Sequence, residues 1–447
     1  MEPEQEYDRR SSSNVYYLNN AKAVVRKKLE NGKKNNKLIE AGSSKNLVAI
    51  EDYIRENKPA IPVYCIRPHS LQKAVNFFSK NFVSLKNPTA ILYSVKSNPD
   101  RKVLQYLFEY GVRHFDVASI AEIKMIDELF GTKAKMYFMH PVKSPEAIKA
   151  AYFDYGIRDY SLDSFDELEK ILTHTDQAKD LGLHVRLSIP NSHSAIDLSG
   201  KFGVLASDSV GLLRKVRVSA KSLGICFHVG SQCMDPVEYR NAIMITKEAI
   251  ENAKVNLDVI DVGGGFPSIY PTMSPKNLQA YFDEIFDALN QLQLSSKCQI
   301  WCEPGRALVA ESGSLIVRVE GRKNQMLYIN DGTYGGLFDA GYPGFIYHTK
   351  AIRLNNSDCG ELSGNKEAFG FYGPTCDSLD QMKGPFYLPD NIAAGDYIEI
   401  GQLGAYSRSI RTEFNGFNQN IQIEVKDQPL ESLYSNVQRK NSVKKIR

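Results

Sequence analysis

Residues 90–117, "AILYSVKSNPDRKVLQYLFEYGVRHFDV", decide the fold of this chain. Two apolar runs, 90–95 and 112–117, flank a segment with the spacing of an amphipathic helix. Asn98 is a suitable cap for that helix, with Pro99 in its first turn. Continuous apolar runs are typical of strands that are buried on both faces of a parallel sheet. The stretch therefore predicts a strand–helix–strand unit with parallel strands.

The same unit recurs along the middle of the chain. The further apolar runs are "KMYFM" (135–139), "IRDYSL" (157–162), "LHVRLSI" (183–189), "ICFHV" (225–229), "LDVIDV" (257–262) and "CQIWCE" (298–303). Eight such units in about 235 residues have the number and size of a (β/α)8 barrel. The alternative, a doubly wound sheet, is weakened because no G-x-G-x-x-G motif follows the first strand.

The pattern changes after residue 310. "GSLIVRVEG", "QMLYIND" and "GDYIEIG" alternate as antiparallel strands do, and "IPVYCIRP" (61–68) is a candidate to join them. We therefore predict an α/β protein with a barrel over 69–310. A smaller antiparallel β-domain is predicted from 49–68 together with 311–425.

Composition limits the class of protein. The chain has 447 residues, a net charge of +3 and 43% hydrophobic residues, so its bulk charge indicates neither a nucleic-acid nor a membrane partner. No apolar run is long enough to span a bilayer, and "MEPEQEYDRR" lacks the hydrophobic stretch of a secretory signal. Seven cysteines without a C-x-x-C pair predict reduced thiols in the cytoplasm, with neither a disulfide frame nor a metal site.

The two ends differ from the middle of the chain. Residues 1–48 and 426–447 are basic and polar, so we expect partly disordered extensions. An electrostatic role toward an acidic partner is the alternative.

Polar residues and glycines follow the predicted barrel strands, where barrel enzymes carry their chemistry. They are Lys96, Asp116, Arg186, His228, Ser231, Gly263 to Gly265, Glu303, Gly305 and Arg306. Each alone has an ordinary structural explanation, such as a solvated rim lysine, a core histidine, a tight turn or a capped loop. Their convergence on one rim favours a single site.

The chemistry of this set is consistent. Glycine-rich turns expose backbone N–H groups to a phosphate, and Arg306 and Ser231 add donors. Lys96 is an amine that can form a Schiff base, and Glu303 is a carboxylate for a ring nitrogen. Together these groups describe a pyridoxal phosphate pocket.

Eight motifs, in order, carry a family resemblance. They are "YSVKSNPD", "FDVAS", "FHVGSQC", "DVGGGFP", "EPGRALVA", "YINDGTYGG", "GPTCDSLD" and "GAYSRS...FNGF". Over about residues 60–420 the chain resembles the fold-type III pyridoxal phosphate decarboxylases, the ornithine, arginine, lysine and diaminopimelate decarboxylase family. It is most similar to the ornithine/lysine branch. The resemblance implies an alanine racemase-like fold, a homodimer, and conversion of ornithine to putrescine in polyamine biosynthesis.

The resemblance also implies roles for single residues. Lys96 holds the cofactor, Asp116 and Glu122 lie near it, and His228 stacks on the cofactor ring. Glu303 pairs with the ring nitrogen, which favours decarboxylation over racemisation because a protonated ring accepts carbanion charge best. Arg186 is expected near the ring oxygen, and the phosphate is expected to bind Ser231, Gly264, Gly265, Gly305, Arg306 and Tyr406.

"GPTCDSLD" (373–380) is the part of the resemblance that reaches between subunits. It implies that Cys376 enters the neighbouring barrel and protonates the substrate carbon, and that Asp377 faces a distal ammonium. Pro343, however, stands where animal ornithine decarboxylases have a second aspartate. Asp339 and Tyr342 are the other substrate-binding candidates.

Several alternatives stay open at this point. Lysine, or mixed lysine and ornithine specificity, competes with ornithine because of Pro343. The substrate could instead be diaminopimelate, carboxynorspermidine or a D-amino acid. The last alternative is a regulator without catalytic activity.

Overall fold

The structure is a computed structural model, and it describes residues 47–190, 194–196, 200–355 and 358–434. Most of the two predicted extensions, 1–46 and 435–447, lies outside the described residues. Within the described ranges, no helix is both long and apolar enough to cross a membrane.

Helix α1 (Ile50–Asn57), strand β1 (Val63–Ile66) and helix α2 (Pro68–Asn81) precede the barrel. The next strands are β2 (Thr89–Ser94), β3 (His114–Val117), β4 (Lys135–Phe138), β5 (Asp159–Leu162), β6 (Gly182–Arg186), β7 (Ser194–Ile196), β8 (Ser222–Cys226), β9 (Ser231–Cys233), β10 (Val259–Asp261) and β11 (Gln299–Cys302). The intervening helices are α3 (Arg101–Glu109), α4 (Ile120–Phe130), α5 (Pro145–Phe153), α6 (Phe165–His174), α7 (Ala206–Ser219), α8 (Val237–Ala253), α9 (Leu278–Leu289) and the short α10 (Arg306–Val309).

Eight of these strands close into a parallel barrel in the order β2-β3-β4-β5-β6-β8-β10-β11. The barrel closes where β11 pairs with β2, with Trp301 opposite Ala90. The predicted (β/α)8 barrel is confirmed, and the doubly wound alternative is excluded. Strands β7 and β9 stand outside the barrel wall and pair with each other, which the sequence did not indicate.

The two-residue period of the strands places polar groups inside the barrel. In β3, Phe115 and Val117 join the core between the strands and helices, whereas Asp116 bonds to Ser94 inside. Lower in the barrel, the interior is filled by a separate apolar cluster of Leu92, Tyr137, Met139, Cys226, Val259 and Trp301. Glu303, two residues beyond Trp301, therefore lies inward at the C-terminal mouth.

The helix after the first strand begins later than predicted. Asp100, not Asn98, caps α3, because its Oδ1 accepts the N–H groups of Lys102 and Val103 at 3.0 and 3.3 Å. Asn98 has another role: its amide donates to the carbonyl of Gly404 at 2.7 Å. This bond ties the turn after β2 to the β-rich part of the chain.

The second sheet is formed by β1 together with the strands that follow the barrel. These are β12 (Gly313–Lys323), β13 (Met326–Ile329), β14 (Thr349–Asn355), β15 (Asp358–Glu361), β16 (Lys366–Tyr372), β17 (Gln381–Pro389), β18 (Tyr397–Ile400) and β19 (Ile421–Glu424), with the short helix α11 (Phe338–Gly341) between β13 and β14. Val63 of β1 lies opposite Ile316 of β12, so this strand from before the barrel pairs within the second sheet. Most pairs are antiparallel, but β1–β19 and β13–β16 are parallel, so the sheet is mixed.

Candidate active site

A cavity of about 650 Å³ opens at the C-terminal ends of the barrel strands. The predicted residues that line it are Lys96, Asp116, Arg186, His228, Ser231, Glu303, Arg306, Asp339 and Tyr406. Other lining residues were not identified from the sequence: Ala118, Met139, His140, Pro141, Ile196, Gly200, Lys201, Phe202, Phe338 and Ile410. The cavity therefore brings residues from across the whole barrel, and from the segments after it, to one place.

Lys96 and Asp116 form an ion pair inside this cavity. Lys96 lies in a 3-10 turn directly after β2, and its Nζ is 2.7 Å from Oδ2 of Asp116. The same oxygen accepts the hydroxyl of Ser94 at 2.7 Å. Burial acts to lower the pKa of Lys96, but the charges of Asp116 and Glu303 outweigh it and raise the pKa above its ordinary value. The amine is thus oriented and held charged in the cavity.

Glu303 forms a buried acidic pair with Asp261, the last residue of β10. Burial, and then the charge of Asp261, raises the pKa of Glu303 well above its ordinary value. Burial also raises the pKa of Asp261 to about 6. Within the described residues, Oε1 of Glu303 and Oδ2 of Asp261 have no hydrogen-bond partner. The pair is suited to receive an N–H donor or a cation from a ligand.

Asp261 was not identified from the sequence. The sequence did give an indication, because Asp261 is a charged residue near the end of the apolar run 257–262 and lies two residues before Gly263. Glu303, at the mouth of the barrel, likewise lies two residues after Trp301, which is inside the barrel.

The His228 imidazole is held neutral. Burial, then the charges of Arg186 and Lys96, lower the pKa of His228 to about 3. Its Nδ1 accepts the N–H of Gly230 at 3.0 Å, so the ring proton resides on Nε2. A neutral, flat ring at this position is suited to stacking on an aromatic ligand.

The glycine turn after β10 requires glycine for close approach of backbone segments. Gly265 has φ +105°, and a Cβ there would lie 2.7 Å from the carbonyl oxygen of Gly230. A Cβ on Gly264 would lie 2.8 Å from the carbonyl oxygen of Glu303. These glycines therefore let the turn pack directly against neighbouring strand ends, beside the cavity.

Arg306, the first residue of α10, is buried beside this turn. Its Nη1 donates to the hydroxyl of Tyr270 at 2.8 Å, and its Nη2 lies 3.4 Å from Oγ of Ser231. Its Nε has no partner within the described ranges. Burial opposes the charge, but Tyr270 and Asp339 raise the pKa of Arg306, so it stays a cation. Arg306 therefore retains donor capacity for an anion.

Asp339 lies against Arg306. Its Oδ2 is 3.4 Å from both Nη1 and Nη2 of Arg306, and the residue is buried. Tyr342, the neighbouring substrate-binding candidate, is 84% exposed and does not line the cavity. The structure thus separates these two candidates, with Asp339 on the arginine side of the cavity.

Glu122 supports the loop after β3 and does not line the cavity. Its Oε2 accepts the N–H of Ala118 at 2.7 Å, and Ala118 does line the cavity. Gly305 also lies behind the lining, because a Cβ there would lie 2.9 Å from Cβ of Ser97. Both residues hold backbone segments that carry lining side chains.

Cys376 and Asp377 lie outside the cavity of their own chain. Cys376 is exposed, and its N–H donates to Oδ1 of Asn415 at 3.1 Å. Asp377 accepts the Tyr334 hydroxyl and the N–H of Leu379, and these bonds lower its pKa. The loop that carries both residues is therefore ordered by local bonds, with Cys376 exposed and Asp377 half-buried.

Comparison with known proteins supplies the family. The family model of the pyridoxal-dependent decarboxylases, pyridoxal binding domain, matches residues 69–310. The chain is 31% identical over 349 residues to lysine/ornithine decarboxylase of Selenomonas ruminantium, covering 76% of this chain and 84% of that protein. It is 31% identical over 339 residues to ornithine decarboxylase of Schizosaccharomyces pombe, covering 73% and 75%. It is also 30% identical over 357 residues to antizyme inhibitor 2 of Xenopus laevis, covering 73% and 74%.

Solved structures agree with this result. Lysine decarboxylase from Selenomonas ruminantium superposes with a TM-score of 0.71 at 26% identity, covering 86% of this chain and 98% of that one. Lysine/ornithine decarboxylase from Vibrio vulnificus, complexed with putrescine, gives 0.70 at 25% identity, covering 84% and 97%. The chain therefore belongs to the pyridoxal-dependent decarboxylase family, and its barrel is the pyridoxal-binding domain of that family.

Proposed function

We propose that this protein decarboxylates basic L-amino acids that end in an ammonium group, accepting both ornithine and lysine and releasing putrescine or cadaverine. One observation carries the proposal: the Lys96 amine, the Glu303 carboxyl, whose Oε1 has no partner among the described residues, and the Arg306 cation line one cavity. An amine, a carboxyl and an anion site are the three groups that pyridoxal phosphate requires.

The residues present fit this cofactor. Lys96 would be the point of covalent attachment, and His228 would contact the face of the ring. Oε1 of Glu303 and Nε of Arg306, both lacking partners in the described chain, are matched to the ring N–H and to the phosphate. The turn at Gly264 and Gly265 brings backbone close to the same end of the cavity. When bound, pyridoxal phosphate supplies an electron sink for the electron pair left by the departing carbon dioxide.

Glu303 determines which reaction is favoured. Its pKa is raised by burial and by Asp261, so this carboxyl pair binds a proton strongly. A ring nitrogen of the cofactor placed there would donate its N–H to this carboxyl pair. The negative charge of the pair would keep that nitrogen protonated and therefore positively charged. Asp116 meanwhile orients Lys96, and the neutral His228 adds no further cation to the cavity.

The second half of the site comes, in this proposal, from another copy of the chain. Cys376 and Asp377 do not line their own cavity, although their loop is ordered. Leu379, in the same loop, is an apolar side chain that is 72% exposed, and Tyr342, on an earlier segment, is 84% exposed. Such a surface fits a homodimer in which Cys376 delivers a proton to the substrate carbon and Asp377 accepts the distal ammonium.

The specificity follows from how the carboxylates are used. Asp339 lies against Arg306, and Pro343 has no ammonium acceptor, so Asp377 is left as the carboxylate for the substrate terminus. With only one carboxylate to accept the terminal ammonium, the site should tolerate substrates whose side chains differ in length. This supports activity on ornithine and lysine alike, as the name of the Selenomonas ruminantium relative states for that enzyme.

We also propose a cytoplasmic location for this protein. All seven cysteines are free thiols, which supports a cytoplasmic location.

The relative named antizyme inhibitor 2 raises a non-catalytic regulator as a second candidate. The presence here of Lys96, Glu303 and Arg306 around one cavity favours the enzyme.

A panel of substrates tests the proposal. The purified protein with pyridoxal phosphate is assayed for carbon dioxide release, and kcat/KM is ranked for ornithine, lysine, arginine, diaminopimelate, carboxynorspermidine and D-ornithine. We expect ornithine and lysine to lie within about tenfold of each other and the remainder to be about 100-fold lower or worse. A preference for diaminopimelate would overturn the substrate assignment, and no release from any substrate would favour the regulator. Lys96→Ala is the inactive control.

A further inference from the structure

The last described segment, residues 427–434, crosses from the mixed sheet to the barrel, and we call it the C-terminal strap. At its start, Asp427 accepts the N–H of Ile50 on its carboxylate and Nε of Arg67 on its carbonyl, each at 3.0 Å. Further along, the carbonyl of Glu431 accepts the side-chain amide of Gln402 at 3.1 Å. The first part of the strap is therefore fixed to the β-rich part of the chain.

The strap next contacts the buried carboxylate of Glu311. This residue is 5% exposed and lies in the 3-10 turn between α10 and β12. Its Oε2 accepts the Ser432 hydroxyl at 2.5 Å, and its Oε1 accepts the N–H of Leu433 at 2.7 Å. Both oxygens thus receive donors from the strap. Without the strap, a buried carboxylate would lose these donors, so the turn and the strap stabilise each other.

The strap ends on α10 itself. The hydroxyl of Tyr434 donates to the carbonyl of Ala307 at 2.7 Å, and its ring packs on Phe77 with centroids 5.4 Å apart. Ala307 directly follows Arg306. The strap therefore contacts α10 one residue after Arg306 and again, through Glu311, just beyond the end of that helix.

The Arg306 guanidinium has contacts of its own, because the ring centroids of Tyr406, Phe345 and Tyr270 lie 4.8, 5.2 and 5.8 Å from it. Its closest side-chain bond is to Tyr270 at 2.8 Å, and its contacts to Ser231 and Asp339 are at 3.4 Å. These contacts act on the guanidinium, whereas the backbone of Arg306 is placed by α10, which the strap contacts at Ala307. We propose that the C-terminal strap positions Arg306 for the cofactor phosphate, with Tyr434 and Ser432 as positioning residues. This inference rests on the proposed function, because it assumes that Arg306 binds that phosphate.

Cofactor affinity distinguishes positioning from simple stabilisation. A strap that only stabilised the fold would lower the melting temperature of the cofactor-free and cofactor-bound protein alike. A strap that positions Arg306 also weakens cofactor binding when it is removed, so the melting-temperature increase caused by the cofactor becomes smaller.

The experiment titrates cofactor-free protein with pyridoxal phosphate and follows visible absorbance. Truncation after Tyr434 is the matched control and should bind as the full chain does. Tyr434→Phe should bind roughly fivefold more weakly, the effect of one lost hydrogen bond, and truncation after Glu431 more than about tenfold more weakly. In an Arg306→Ala background, Tyr434→Phe should change the Kd less than about twofold, because both act on one contact.

Unchanged cofactor Kd in Tyr434→Phe and in the truncation after Glu431 would overturn the inference. Full additivity of Tyr434→Phe with Arg306→Ala would overturn it as well. If the shorter truncation does not fold, Tyr434→Phe alone decides. If the full-length protein does not bind pyridoxal phosphate, the proposed function fails and the inference fails with it, whereas normal binding in the full-length protein with an unchanged Kd in the variants overturns the inference alone.

Discussion

Nζ of Lys96 lies 2.7 Å from Oδ2 of Asp116, on the neighbouring barrel strand. Because Asp116 is the first charge that raises the pKa of Lys96, Asp116→Asn should lower that pKa. We expect a decrease of about one to two pH units. The measurement is acylation of Lys96 in cofactor-free protein across a pH series, quantified by mass spectrometry. Asp154→Asn, on the exposed end of α5, is the control. Identical labelling curves for wild type and Asp116→Asn would show that the ion pair does not set the pKa.

Replacement of Glu303 tests the charge at the ring nitrogen. Glu303→Gln keeps the size of the side chain and removes its negative charge, so it should lower kcat by about 10- to 100-fold. Glu320→Gln, at an exposed position of β12, should leave kcat unchanged. Steady-state assays with saturating cofactor measure both variants. A kcat for Glu303→Gln within twofold of wild type would argue against the proposed role.

A shared site predicts complementation between two inactive variants. Lys96→Ala and Cys376→Ala should each lose most activity, because one lacks the cofactor amine and the other the proton donor. After mixing and subunit exchange, about a quarter of the wild-type sites should be active, since half the dimers are mixed and each of these holds one intact site. Activity is measured before and after exchange, which native mass spectrometry confirms. Exchange without any recovery would mean that Cys376 serves its own barrel or none.

The Glu311 contact predicts a pH-dependent stability. Burial raises the pKa of Glu311 from 4.5 to about 7, against the effect of the donors Ser432 and Leu433 and the charge of Lys73. A raised pKa in the folded state means that protonation favours folding. Its contribution is complete below about pH 4.5 and is lost as the pH rises through about 7.

The measurement compares melting temperatures of wild type and Glu311→Gln across this window. The glutamine side chain of the variant does not titrate, so the wild type should lose about 2 °C relative to the variant between pH 5 and pH 8. Glu320→Gln is the control for the loss of one exposed carboxylate. A constant difference between wild type and Glu311→Gln over this range would contradict the prediction.

The sequence predicted the barrel and much of its mouth for a simple reason. Strand residues alternate between two faces, and parallel strands end at one rim, so Lys96, Asp116 and Glu303 could be assigned to the same place. The cap at Asn98 was wrong because two nearby residues can both cap a helix. Only the tertiary bond from Asn98 to Gly404 decides between them.

The remaining features depend on contacts between distant parts of the chain. Tyr270 bonds to Arg306 from 36 residues away, and Tyr434 bonds to Ala307 from 127 residues away. Neither spacing has a periodic signal, because side-chain packing alone brings these residues together. The outward position of Cys376 is a further case, since no periodic pattern indicates it and only the family resemblance implied it.

The central claim, decarboxylation at the cavity around Lys96, is tested most directly by product analysis in deuterium oxide. Purified protein with pyridoxal phosphate is given lysine or ornithine, and the products are analysed by mass spectrometry and carbon dioxide trapping. We predict equal amounts of carbon dioxide and diamine, with one carbon-bound deuterium in each diamine. Amino acid that is recovered racemised or unchanged, without carbon dioxide, would contradict the account.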